Sequence, residues 1–460
     1  MHIEKAIEYF QTHQETMTQT YLDLVKIPSV STATEHKADI LRAAEFLKDY
    51  LLGIGLDRVE LFPTNMHPIL FAEKKSANIN AKTLLVYGHY DVQPTDPLDE
   101  WKSDPFQPEI REDYAYARGA SDMKGQVMAS VLALESVLKT SDLPINVKFL
   151  IEGEEEIGSP SLDDFIKTHK DLLSCDMILN PDAGMVGKDQ PTLVYGLRGL
   201  TYFEVRVDGP KADLHSGLWG GNVANPANVL STIISKLHKS DGSVAIPGFY
   251  DRVLDITEEE RARIASNKTS EETILENTGV PMLFGEAGFS ALERQGARPT
   301  LDVNGFYSGF IGEGAKTIIP AYAKAKISCR LVPDQDPMEI FELAKSYILS
   351  ITPPTVRINI FLHSGGPAYL ADDAPGAKNL TEALSAVWQN SITYKREGGS
   401  IPVATVMQRE LGVKSLLTGF GLPDDAIHSP NERMYLPNWY KGIQALIRFY
   451  LSFGETSDAS

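Results

Sequence analysis

Up to about residue 197, short apolar runs alternate with stretches whose apolar residues recur at helical spacing. Leu84-Leu85-Val86-Tyr87, ending at Gly88, has the continuous apolar character of a buried strand. Val127, Val131, Leu134 and Leu138 predict a helix over residues 123–139. Residues 145–151 and 177–179 read as further strands, and Ile7, Phe10 and Met17 mark an amphipathic N-terminal helix. Strands alternating with helices predict an α/β layer with helices on both faces of a sheet.

The pattern changes near residue 199. Phe203, Val205 and Val207 alternate with polar residues, as in a strand with one wet face. Asn225-Pro226 pairs a helix cap with a proline at the first helical position, opening a helix to about Leu237. Strands follow at 301–306 and at 321–332, the second alternating Ala321, Ala323, Ala325, Ile327, Cys329 and Leu331. Asp336-Pro337 opens another helix, and Val356, Ile358, Ile360 and Leu362 form a last strand. The order β-α-β-β-α-β is that of a ferredoxin-like α+β sandwich. Residues 238–300 are polar and irregular by comparison and read as an insertion. After Gly365-Gly366 the α/β character returns, with helices at 376–389 and 437–452 and a strand at 414–418. The expected organisation is therefore one α/β domain in two pieces, 1–197 and 366–460, around an inserted domain at 198–365.

Composition narrows the function classes. The length, 460 residues, accommodates about two domains, and 43% hydrophobic with 23% charged residues excludes a disordered or low-complexity chain. Lys plus Arg number 43 against 62 Asp plus Glu, a net charge of −19 that repels phosphate backbones, so no nucleic-acid partner is expected. Cys175 and Cys329 are too few for a disulfide framework and fit a reducing, cytoplasmic setting. The N-terminus lacks the apolar centre of a signal peptide, and no stretch approaches the roughly 18 apolar residues that span a membrane.

The chemistry-bearing residues cluster just after strands. His89 and Asp91 follow strand 84–87 in GHYDVQP, Glu154 to Glu156 follow strand 145–151 in EGEEEIGS, and Asp182 follows strand 177–180 in NPDAG. His428 lies beyond strand 414–418 in DDAIHSPNE, and Asp122 opens a helix in GASDMKG. Each alone has an ordinary reading: a surface or core histidine, a helix cap, a turn aspartate, a solvated acidic run. Together they fall where open α/β sheets build sites, outside the carboxyl ends of the strands.

GHYDVQP, SDMKG, EGEEEIGS, LHSG, ISCRLVP, REGGSIP and IHSPNE occur here in the order found in two-metal exopeptidases. From about residue 80 to 435 the chain resembles the branch containing carnosinases and cytosolic non-specific dipeptidases, relatives of glutamate carboxypeptidase. The resemblance implies a catalytic α/β domain with an inserted ferredoxin-like lid and dimerisation domain. It implies that Asp122 bridges two divalent metals, Zn or Mn, with His89 and Asp182 completing one and Glu156 and His428 the other. Asp91 would orient the His89 imidazole. In that family the acidic pair stands directly before x-Gly-Ser, so Ile157-Gly158-Ser159 sets the register: Glu155 is the general base and Glu156 the ligand, leaving Glu154 solvated or in support. The implied reaction is hydrolysis of dipeptides or short peptides with a free C-terminal carboxylate, by a hydroxide shared between the metals.

Substrate grip is implied for Arg330, whose fork matches a carboxylate, for Thr317 in AKTIIP, and for Gly399 and Ser400 in REGGSIP. His215, in LHSG, matches the family histidine that reaches a neighbouring subunit's site and steadies the oxyanion, and the resemblance implies a homodimer through the inserted domain. His363 matches another substrate-side histidine, but Pro367-Ala368-Tyr369 replaces the family's Lys-Pro-Trp-like continuation, so side-chain preference is left open. The same site chemistry also fits deacylation of N-acyl amino acids, as in succinyl-diaminopimelate desuccinylase or acetylornithine deacetylase, or a carboxypeptidase. An inactive metal-binding scaffold is the reading outside enzymes; the presence of every ligand and of the base argues against it.

Overall fold

The computed structural model describes residues 2–371, 374–399 and 401–455. The chain forms two compact units, one made of Met1–Tyr195, Ala371–Tyr394 and Pro402–Ser460, the other of Gly196–Leu370 and Lys395–Ile401.

In the first unit the apolar runs become the centre of a nine-stranded sheet. Its strands run in the spatial order Arg58–Phe62, Ile69–Lys74, Asn146–Glu152, Thr83–His89, Met177–Asn180, Ser415–Leu417, Thr192–Leu197, Tyr369–Leu370, with Thr393–Glu397 also paired to Thr192–Leu197. The central four, from Asn146–Glu152 to Ser415–Leu417, are mutually parallel. Their neighbours on both sides are antiparallel, so the sheet is mixed. Parallel strands covered on both faces need apolar side chains on both, which is why Leu84 to Tyr87 and Val147 to Ile151 carry no polar alternation apart from Lys148.

The helix Lys124–Leu138 is buried almost all round, packed by the helices His2–Val25 and Leu436–Ser452. Trp439 Nε1 donates to the Gly125 carbonyl at 2.7 Å and Tyr21 Oη to that of Ala120 at 2.9 Å. Gly88 and Gly125 permit this packing: a Cβ would come to 2.6 Å from Val127 Cγ2 at the first and to 2.3 Å from the Ala120 oxygen at the second. A small sheet of Glu109–Arg111, Tyr114–Tyr116 and Arg433–Tyr435, which the sequence pattern does not announce, joins the C-terminal part of the chain to the segment before Asp122.

The second unit is an antiparallel sheet in the order Thr300–Ser308, Tyr322–Leu331, Gly199–Asp208, Arg357–Gly366, with the helices Pro226–Ser235 and Pro337–Ile351 against it. Strict alternation along Gly199–Asp208 sends Phe203, Val205 and Val207 into the core with Leu230, Ile233, Ala325, Ile327 and Phe341. Asn225 Oδ1 accepts from Ala227 N at 2.9 Å and Asp336 Oδ1 from Glu339 N at 2.8 Å, caps worth about 1 kcal/mol each. Residues 238–300 are not irregular. They contain the short helices Glu258–Ala265, Glu271–Thr278 and Ala291–Gly296, capped by Thr257, Ser270 and Ser290. The hydroxyl caps followed by acidic residues were readable; the sparse apolar residues hid the helices.

Candidate metal centre

The parallel strands end on one edge of the sheet, and each end supplies a donor. His89 is the last residue of Thr83–His89, completely buried. Glu155 and Glu156 form a short turn of 3-10 helix after Asn146–Glu152, and Asp182 follows Met177–Asn180. Asp122 precedes the helix Lys124–Leu138, and His428 lies on the exposed turn after Ser415–Leu417. His89, Asp122 and Asp182 form one group of donor atoms within 4.8 Å of one another, and Asp122, Glu156 and His428 form a second. Asp122 belongs to both. Its Oδ1 lies 3.2 Å from His89 Nε2, while its Oδ2 lies 3.0 Å from His428 Nε2. Glu156 Oε2 is 3.3 Å from the same His428 nitrogen and accepts from Gln93 Nε2 at 2.7 Å.

Asp91 is buried beneath the donors. Its two carboxylate oxygens accept from Glu155 N at 3.3 Å and Glu156 N at 3.1 Å, and its carbonyl lies 3.1 Å from His89 Nδ1. Glu155 is in neither donor group. Glu154 is buried, not solvated: it accepts from Thr64 Oγ1, the backbone N–H of His67 and Ser161, and Ser161 Oγ. The turn at 154–159 directs it inward, which a run of glutamates cannot reveal.

Concentrated negative charge dominates the electrostatics. Burial pushes Asp182 well above the usual carboxylate range, with Asp122, Glu155 and Glu156 adding to it against His89. Burial likewise raises Glu155 to about 7, opposed by His89 and reinforced by Glu156 and Asp122. Burial works against the charge of Asp122 too, but the hydrogen bond with His428 and the adjacent His89 ring hold it below its ordinary value. Bonds to Asp122 and Glu156 raise His428 from 6.5 to about 10. His89 Nε2 is buried and makes no hydrogen bond, although it faces Asp122 Oδ1 and Asp182 Oδ1. A buried ring nitrogen left over among carboxylates, with a donor set of imidazole and carboxylate, fits a divalent cation.

The sign of the pH dependence follows. The raised His428 pKa contributes stability to the metal-free protein that is fully present below about 6.5 and is lost as pH rises through about 10. At neutral pH the metal-free ring is therefore protonated, and a cation taking His428 as a ligand would have to displace the proton. Titration of stripped protein with Mn²⁺ or Zn²⁺ at pH 7.5 should release protons, and apparent affinity should climb with pH. Calorimetry in two buffers of different ionisation enthalpy reads this directly; proton uptake would contradict it.

The second unit carries the other residues singled out from the sequence. His215 ends the two-residue strand Leu214–His215, pairs with Ile318, and is exposed. Its Nδ1 accepts from Gly217 N at 3.0 Å, which leaves the ring proton on Nε2. Thr317 is beside it, its carbonyl accepting from Ser216 N at 3.2 Å, so residues a hundred positions apart share one edge. Arg330 lies half-buried on Tyr322–Leu331 opposite Thr300 and Leu200. His363 is the extra residue of a β-bulge between Leu362 and Ser364, exposed and 5.5 Å from the Tyr202 ring centre; bulges re-aim side chains in this way. Gly399 is exposed, and Ser400 lies outside the described residues.

Residues 85–452 match the family model described as peptidase family M20/M25/M40. The chain is 32% identical to a Cys-Gly metallodipeptidase of Candida albicans, covering 94% of this chain and 93% of the relative. Its fold superposes on human carnosine dipeptidase 1 with a TM-score of 0.84 at 28% identity, over 99% of each chain. It superposes on a metallo-carboxypeptidase of Sulfolobus solfataricus with a TM-score of 0.83 at 34% identity, over 96% of this chain and 99% of the other.

Proposed function

Because this chain belongs to peptidase family M20/M25/M40, we propose that it is a dipeptidase, hydrolysing the peptide bond of dipeptides or short peptides that end in a free carboxylate. The observation that carries this reading is Asp122, whose two oxygens face two separate donor groups. His89 and Asp182 would hold one divalent cation with it, Zn or Mn, and Glu156 and His428 would hold the other. Cations held there polarise a scissile carbonyl and make water more acidic. Glu155 accepts the proton of the attacking water at its carboxylate and returns it to the leaving amine. Its burial favours that task, since a carboxylate pushed toward neutral pKa is a better proton acceptor than an exposed one. Asp91 holds the backbone of Glu155 and Glu156 and so keeps base and ligand in fixed relation.

Arg330 grips the substrate's terminal carboxylate with two parallel hydrogen bonds, helped by Thr317, His363 and the N–H groups around Gly399 and Ser400. His215 donates a hydrogen bond from Nε2–H to the oxyanion of a neighbouring subunit's substrate. The second unit then serves as lid and dimerisation domain. Its outer strand Thr300–Ser308 leaves Val303, Phe306 and Tyr307 exposed, the kind of open sheet edge that pairs with another chain. A monomer in sedimentation equilibrium would remove this part of the reading. No helix among the described residues is long and apolar enough to cross a membrane, and Cys175 and Cys329 are both free, in keeping with a cytosolic enzyme.

Hydrolysis of a dipeptide library by stripped protein reloaded with Mn²⁺ or Zn²⁺ tests the proposal, with N-acetyl and N-succinyl amino acids as comparators. Turnover confined to the acylated compounds would replace it with a deacylase. Similarity to the Sulfolobus solfataricus carboxypeptidase favours a second reading, release of single C-terminal residues from longer peptides. A length series from two to five residues separates the two. Arg330→Lys keeps the charge but loses the fork. It should raise KM for dipeptides by about thirtyfold, roughly 2 kcal/mol, and leave dipeptide amides nearly untouched.

A further inference from the structure

Glu432 stands four positions after His428 and exposes no surface. A buried carboxylate is costly unless it is paired and hydrogen-bonded, and here the donors all come from one stretch of chain. Oε2 accepts from Arg118 Nη1 at 2.7 Å and Gly119 N at 2.9 Å; Oε1 accepts from Ser121 N at 2.9 Å and Asp122 N at 3.0 Å. The small sheet sets this up. Arg433 pairs with Tyr116, and Ala117 N donates to the Glu432 carbonyl at 3.1 Å. Arg118, itself buried, also donates to the Pro94 carbonyl at 3.0 Å, five residues beyond His89.

The turn carrying His428 needs external support. Ala426, His428 and Asn431 all have positive φ, which non-glycine residues sustain only when neighbours over-determine it. Asn431 supplies some of that support, accepting from Lys102 N and donating to the Glu100 carbonyl, each at 2.8 Å. Asp425 supplies more, its carbonyl accepting from Arg433 N at 2.9 Å and its Oδ2 from Ser121 Oγ at 3.1 Å, and Glu432 adds the bonds given above. Arg118 meets the charge of Glu432, and the three backbone bonds tie its carboxylate to the turn that carries Asp122.

The geometry points to Glu432 as a positioning residue that locks the Asp122 turn and the His428 turn into one piece, so that the two donor groups keep the separation a pair of cations requires. This rests on the proposal that the site binds two cations. Wild type, E432Q and E432D are to be titrated with Mn²⁺ and followed by electron paramagnetic resonance, with circular dichroism reporting the fold. E432D is the decisive variant: it keeps a charge partner for Arg118 but draws the carboxylate back by one methylene from the 119–122 backbone. The expected result is a folded E432D whose second equivalent of Mn²⁺ binds roughly 10–100-fold more weakly, with loss of the spin-coupled signal of the metal pair. Wild-type affinity and coupling in folded E432D or E432Q would overturn the assignment. Failure of both variants to fold would overturn it too, making Glu432 a residue of folding rather than of positioning. A wild-type protein that binds no second equivalent would instead overturn the two-cation reading itself.

Discussion

Glu155→Ala is expected to retain both cations and to lose roughly 10²–10⁴-fold in kcat. Glu155 lies outside both donor groups, so its removal takes no ligand from either. Its backbone N–H is held by Asp91 Oδ1, an anchor that the substitution leaves in place. What disappears is the one carboxylate next to Glu156 that is free to take a proton. A carboxylate engaged by a cation is a poor base, so Glu156 cannot substitute for it. Metal content by atomic emission, read beside kcat for a good dipeptide, checks both halves. Turnover within a few fold of wild type would end the general-base assignment.

Asp122→Ala is expected to empty the whole site, whereas Glu156→Ala and Asp182→Ala should each cost one cation. The asymmetry comes from the carboxylate of Asp122, whose two oxygens point at His89 and at His428. Its loss also leaves His89 Nε2 buried among fewer partners. A cation present at a hundred times its dissociation constant stabilises the folded state by about 2.7 kcal/mol. The rise in melting temperature on adding Mn²⁺ should therefore vanish in Asp122→Ala and persist in part in the other two. Two equivalents retained by Asp122→Ala would show that the cations sit elsewhere.

The sequence exposes those parts of the fold whose physics is local. Leu84 to Tyr87 and Met177 to Leu179 announce themselves because a strand covered on both faces must be apolar throughout. Phe203, Val205 and Val207 do so because a half-covered strand must alternate. Asn225-Pro226 and Asp336-Pro337 mark helix starts through cap chemistry alone. What stays hidden depends on partners far along the chain. Arg58–Phe62 at the sheet edge and Ile69–Lys74 beside it mix charges into short strands, and the three-residue strands around Tyr114 and Met434 are too brief to carry a period.

The candidate site divides in the same way. Its donors could be listed because each stands in a recognisable motif, after a strand or, for Asp122, at the start of a helix. Their supports were legible only where they share a donor's motif, as Asp91 does with His89. Glu154 looks solvated in a run of three glutamates, yet Thr64, His67 and Ser161 surround it. Glu432 looks like the polar end of IHSPNE, yet it is buried against Arg118. One signal was available: an arginine within the small and aromatic stretch Tyr114 to Ala120 has to find a counter-charge.

His428 comes late in the chain, after the whole of Gly196–Leu370, while His89, Asp122, Glu156 and Asp182 all precede that unit. Translation delivers the N-terminal part first. A product cut short between Leu370 and His428 would leave Asp122 Oδ2 with no histidine to face and the second donor group incomplete.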